Sequence, residues 1–114
     1  MNLLLITGGK HPYEESTPVL QEFLEAAGHS ITLSESANEL SGDLSAFDAI
    51  VLNTLRQKAT DNDLNDAQRT GFKSYVSDGG SLLSIHISAA SCPEWSQTKK
   101  ITGGGWVLGE SWHP

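Results

Sequence analysis

Cys92 is the only cysteine in the 114-residue sequence. A single thiol excludes an intrachain disulfide and favours a reducing compartment, so a cytoplasmic location is expected. Positive charge is also scarce: seven Lys and Arg stand against fourteen Asp and Glu, for a net charge of −7. Nucleic-acid surfaces need a basic stripe and anionic membranes attract basic patches, so neither is an expected partner. The acidic residues are scattered, which reads as a device for solubility. Long apolar runs are missing as well. The opening MNLLLITGGKHPY has no cationic lead, and only about four apolar residues precede its polar break. That is neither a signal peptide nor the roughly 20 apolar residues of a membrane-spanning helix.

What remains is ordinary for a folded protein, with 38% apolar and 18% charged residues. The length suits one domain, residues 1–114. The apolar runs at 2–7 and 48–53 read as strands buried on both faces, with further strands at 30–34 and 81–87. Between the first two strands, Thr17 suits a helix cap, Pro18 a first helical position and Gly28 a helix end. Val19, Leu20, Phe23, Leu24 and Ala27 then form the expected inner face. A second helix opens at Asn65, with Gln68 three residues on as a capping-box partner. Gly71, Phe72, Tyr75 and Val76 form its inner face, and Gly79 ends it. Residues 35–47 suit at most a turn or two of helix, Pro93 a short helix reaching about Lys99, and the final stretch a loop.

Strands alternating with helices at this spacing predict an α/β, flavodoxin-like three-layer sandwich with a parallel sheet in the order 2-1-3-4. Such sheets place ligands outside the C-terminal strand ends. The residues there are Gly8, Gly9, Lys10 and His11 after strand 1, Asn53 and Thr54 at strand 3, and His86 at strand 4. His86 interrupts an apolar run just where a strand-to-loop turn would hold a side chain proud of the sheet. An imidazole there suits acid–base chemistry, or a hydrogen bond to a backbone carbonyl at the edge of the core. His11 in its loop reads equally as solvent-exposed. GGKHPYEEST matches no phosphate-loop pattern, and Glu14 and Glu15 would repel phosphate. Cys92 has Glu94 for a neighbour, the wrong sign for a reactive thiol. Trp95, Trp106 and Trp112 flank the mouth of the proposed site, as sugar-stacking rings or as packing anchors. The spacings among His11, His86 and His113 match no metal-ligand motif, so no metal and no cofactor are expected.

Several stretches together resemble the trehalose-utilisation (ThuA-like) family of the class I glutamine-amidotransferase-like superfamily. They are LLLITGGKHPY with LEAAGHSITL, FDAIVLN, LNDAQRTGFKSYVSDGGSLLSIH, and GGGWVLGESWHP. The helix ending in Gly-Gly before an apolar strand and His86 is the most specific of them. The resemblance implies that His11, His86 and His113 are the family's motif histidines and Trp95 its tryptophan. It implies that His86 occupies the elbow where an amidotransferase carries its nucleophilic cysteine, which excludes cysteine-dependent glutamine hydrolysis. It further implies sugar metabolism. His86 and His11 are then the expected catalytic residues, with Trp95 and His113, and by position Trp106 and Asn53, around the substrate. The expected chemistry is isomerisation or hydrolysis of a sugar or keto-sugar derivative. The alternative is an inactive, shortened relative that serves as an assembly or partner-binding module. Family domains continue past this His-Pro, so an exposed sheet edge and a homo-oligomer, a dimer, are expected.

Overall fold

The computed structural model describes residues 1–107 and 109–112. Strand β1 (Asn2–Gly8) lies between β2 (Ser30–Ser34) and β3 (Ala49–Thr54), and β4 (Ser81–Ser84) pairs with the far side of β3. All three pairings are parallel and the order is β2-β1-β3-β4, as the alternation of strands and helices predicts. A strand flanked on both sides and covered on both faces is apolar through its centre. Leu4, Leu5 and Ile6 in β1 are fully buried.

The pleat divides the core. Leu4, Ile6, Ile50 and Leu52 point to one face, where they pack with Leu40, Leu64 and Phe72. Leu3, Leu5 and Val51 point to the other, under Leu20 and Leu24 of α1 (Tyr13–Ala26). Helix α2 (Asp66–Ser77) covers the first face and begins with the predicted capping box. There the Gln68 N–H donates to Asn65 Oδ1, and the Asn65 N–H donates to Gln68 Oε1, each at 2.9 Å. Gly71 is required by the packing. A Cβ there would stand 1.8 Å from the carbonyl oxygen of Leu40, in the 3-10 turn Asn38–Ser41.

Three elements differ from expectation. Helix α1 begins at Tyr13, not after Thr17, so Pro18 lies inside it. Tyr13 is buried and anchors the first turn, and Glu14 and Glu15 favour the positive end of the helix dipole. The carbonyl that Pro18 leaves without an N–H belongs to exposed Glu14. Thr17 then turns inward and shares a hydrogen bond with Thr7. The buried stripe becomes 13-17-20-24, and Val19 and Phe23, a third of a turn away, are each 68% exposed.

Strand β4 stops at Ser84 instead of Ile87. The cause is His86, whose φ of 51° takes the chain out of the extended region and into the 3-10 turn His86–Ala90. Beyond Pro93 the only helix among the described residues is the single turn α3 (Thr98–Ile101), and the described residues after it are irregular. No described helix is long and apolar enough to cross a membrane.

Candidate functional site

Two loops leave the C-terminal end of the sheet side by side. The first follows β1 through Gly8 and Gly9, with φ of 103° and 128°. A Cβ at Gly9 would come 2.3 Å from the Leu55 carbonyl oxygen, so only glycine lets this loop press against the exit of β3. His11 follows, exposed to solvent. The second loop begins where the Ile85 N–H donates to the Leu52 carbonyl at 2.9 Å. At His86 the backbone then enters the left-handed region, which a non-glycine residue adopts only at a cost of about 1–3 kcal/mol. The imidazole is thereby held out on an elbow, exposed.

These two turns bring His11 and His86 together. Their ring centres are 5.7 Å apart, tilted by 51°. Tyr13 meets His11 edge-on at 6.0 Å. Beneath them Tyr13, Leu55 and Ala90 form a small buried cluster, and Ile87 and Trp106 pack against it. The Tyr13 hydroxyl is buried with no hydrogen-bond partner. Burial pushes its pKa up, so it stays protonated, a donor with nothing to donate to. A groove of about 350 Å³ opens beside Gly8, Gly9 and Tyr13. A larger one, of about 540 Å³, lies at the opposite end of the sheet beside Asp43, Asp48 and Asp78, away from both histidines.

The platform below is braced by Arg56, which is 4% exposed. Its guanidinium donates to the carbonyl oxygens of Thr7 and Asn62, each at 3.1 Å, and to that of Glu35. One side chain therefore ties the exits of β1 and β2 to the loop after β3. Burial lowers its pKa, countered in part by the nearby Cys92 and Asp63 groups.

Of the other expected site residues, Asn53 and Trp95 make their contacts elsewhere. Asn53 is buried, and its amide donates to the hydroxyls of Ser16 and Thr17, fastening α1 to β3. Trp95 packs on Phe72 with ring centres 6.4 Å apart, under the Arg69 guanidinium at 5.8 Å. Arg69 is paired with Asp63 at 2.9 Å, so Trp95 joins the α2 side of the core. Trp106 alone of the three tryptophans lies in the cluster beneath His11 and His86. Trp112 is exposed. His113 lies outside the described residues. Among the described residues no three His, Cys, Asp or Glu side chains are placed to hold a metal ion.

Sequence reasoning singled out neither Tyr13 nor Arg56. Tyr13 was hidden because its segment read as loop, although an aromatic directly before two glutamates is a fair sign of an anchored helix start. Arg56 sits in a polar stretch, TLRQKATDNDL, with nothing to mark it as buried.

The two imidazoles are in ring contact and both are exposed, so they present adjacent hydrogen-bonding groups to solvent at the C-terminal end of the sheet. Residues 2–114 match the family described as "Trehalose utilisation", ThuA. No curated protein sequence matches the chain. Among solved structures, the chain is similar to a ThuA-like protein from Bacteroides uniformis, with a TM-score of 0.68 at 16% identity. That match covers 90% of this chain and 43% of the other, so the chain spans less than half the length of that relative. By its match to the family over nearly every residue, the chain belongs to the trehalose-utilisation (ThuA) family.

Proposed function

We propose that the chain binds or transforms a sugar or keto-sugar derivative by histidine acid–base chemistry. The observation that carries this reading is the pairing of His11 with His86, 5.7 Å apart, the first after a glycine turn and the second on a strained elbow at the C-terminal end of the sheet. His86 is the general acid or base and His11 its neighbour, in ring contact with it. Trp106, half-buried against the Tyr13 cluster, offers the apolar wall against which a sugar ring rests its C–H face. An imidazole can both accept and donate a proton, which suits transfer at a hydroxyl or beside a carbonyl. That favours isomerisation or hydrolysis. The family's link to trehalose utilisation supports a carbohydrate over other polar ligands.

A thermal-shift panel of mono- and disaccharides and their keto derivatives tests the reading. A ligand at a hundredfold excess over its Kd stabilises by about 2.7 kcal/mol, a readily measured shift in a domain of this size. The expected result is a sugar-specific shift that His86→Ala or His11→Ala abolishes. A panel with no shift would overturn the reading and favour the second one, an inactive relative acting through its surfaces. That second reading is supported by the exposed Val19, Phe23 and Leu83.

A further inference from the structure

Among the described residues, the Tyr13 hydroxyl is the buried side-chain atom without a partner that belongs to the cluster at His11 and His86. Tyr13 is 7% exposed, and the side chains packed around it, Leu55, Ala90, Ile87 and Trp106, are apolar or present an apolar face. A phenylalanine would fill the same space. The hydroxyl is solvated in the unfolded chain and loses that solvation on burial, so an unmet donor here costs stability that phenylalanine would not. The group adds nothing to the packing of the free protein, and its use lies in what the cluster binds.

Chemistry narrows that use. Burial raises the Tyr13 pKa, so the group is a neutral donor. The residues of its cluster offer no side-chain acceptor. An alcohol paired with a phenol in such a setting leaves one of the two hydroxyl protons unmet, whichever of them donates. A carbonyl oxygen accepts the phenol proton and brings none of its own, so the pair is complete. A buried donor of this kind therefore discriminates against the corresponding alcohol, whose pairing leaves a polar group unsatisfied.

Access is from the side of Trp106. Leu55 and Ala90 are buried, whereas Trp106 is half-buried and follows Gly103, Gly104 and Gly105. A Cβ on Gly103 or Gly104 would meet nothing within 4 Å, so this stretch stands clear of the rest of the chain. A rotation of the indole uncovers the hydroxyl and leaves the ring as a wall beside it. We infer, resting on the sugar-binding reading, that Tyr13 is a ligand-binding residue of the histidine site, its hydroxyl donating to a carbonyl oxygen and so selecting a keto-sugar over the parent sugar.

Calorimetry on the full chain tests this with methyl glucopyranoside, trehalose and the ketones made by oxidising their ring hydroxyls one at a time, on wild type and Tyr13→Phe. Wild type is expected to bind one of the ketones at least about tenfold more tightly than its parent sugar. In Tyr13→Phe the ketone loses that advantage while affinity for the parent sugar is unchanged. The free variant is expected to fold, by circular dichroism, and to melt at or above the wild-type midpoint, since it loses only an unpaired hydroxyl. Equal binding of ketones and parents by wild type, an undiminished preference in Tyr13→Phe, or an equal loss of affinity for both would overturn the inference and leave the sugar-binding reading standing. So would a free Tyr13→Phe melting about 4 °C or more below wild type, the mark of a hydroxyl already satisfied by water or backbone. No binding of any of these sugars or ketones would overturn the sugar-binding reading as well.

Discussion

The Ser88 hydroxyl stands beside Thr54 where the next carbonyl of β4 would stand in an unbroken strand. It accepts the Thr54 N–H at 3.0 Å and donates to the Leu52 carbonyl at 2.9 Å. In an uninterrupted parallel ladder the Ile85 carbonyl would take the Thr54 N–H. That carbonyl instead accepts the Ser88 N–H at 3.0 Å, because the chain has turned at His86. The elbow is therefore built on a side-chain replacement for a strand bond. Ser88→Ala leaves the buried Thr54 N–H without an acceptor, a loss of about 2 kcal/mol. The expected drop in thermal midpoint is about 8 °C, with chemical-shift changes at His86. A variant as stable as the parent would show that the hydroxyl does not carry the turn.

Gly71→Ala tests the close approach of α2 to the turn at Leu40. Helix propensity alone predicts that alanine in the middle of a helix gains about 1 kcal/mol over glycine. The new Cβ, however, meets the Leu40 carbonyl oxygen at 1.8 Å, so backbone must move against backbone. Overpacking of this kind costs about 1–3 kcal/mol or more. The net effect is expected to be destabilising, and urea unfolding reads its sign directly.

Elements whose identity depends on local pattern were legible before any coordinates. The continuous apolar run of β1, the Asn65–Gln68 capping box and Gly79, with its φ of 96°, each stand where their chemistry places them. So does the strand order, which follows from short connections between parallel strands. The start of α1 was not legible, because Thr17 and Pro18 form a plausible cap and first turn by themselves. Only the burial of Tyr13 against Leu55 and Ala90, residues remote in sequence, extends the helix backward by a turn. Trp95 shows the same limit. Its position after the elbow suggests a wall for the site, yet Phe72 and Arg69, brought by α2, supply its contacts. The meeting of His11 with His86 was legible as two strand ends in one sheet, while the distance between them required the fold.

Cys92 is expected to be inert in the folded protein. It is 2% exposed, and burial, reinforced by its contact with the Asp63 carboxylate, pushes its pKa up to about 12. At pH 8 roughly one thiol in ten thousand would be ionised, too few for rapid alkylation. Iodoacetamide labelling should therefore follow unfolding, with equal rates for wild type and Glu94→Gln. The same shift has a consequence at high pH. Between the ordinary value of 9.0 and about 12 the unfolded state holds fewer protons than the native state, so stability falls as pH rises through that window. Cys92→Ala should flatten this decline. Fast labelling of native protein at pH 8 would contradict the buried placement.

His86 allows stability and binding to be separated. Its φ of 51° is a conformation that costs an L-residue about 1 kcal/mol or more, and its side chain is exposed, so little packing is lost on truncation. His86→Gly removes that strain and adds about 0.5–1 kcal/mol of unfolded-state entropy, two effects of similar size and opposite sign. The variant is expected to lie within about 1 kcal/mol of wild type in either direction. His86→Val should be less stable than both, because a β-branched side chain tolerates the left-handed region poorly. If the imidazole is there for a ligand, His86→Gly stays within that range and loses the sugar-dependent shift. Should His86→Gly unfold more than about 10 °C lower, beyond what about 1 kcal/mol accounts for, the imidazole would be a structural group, and the acid–base reading would lose its central residue.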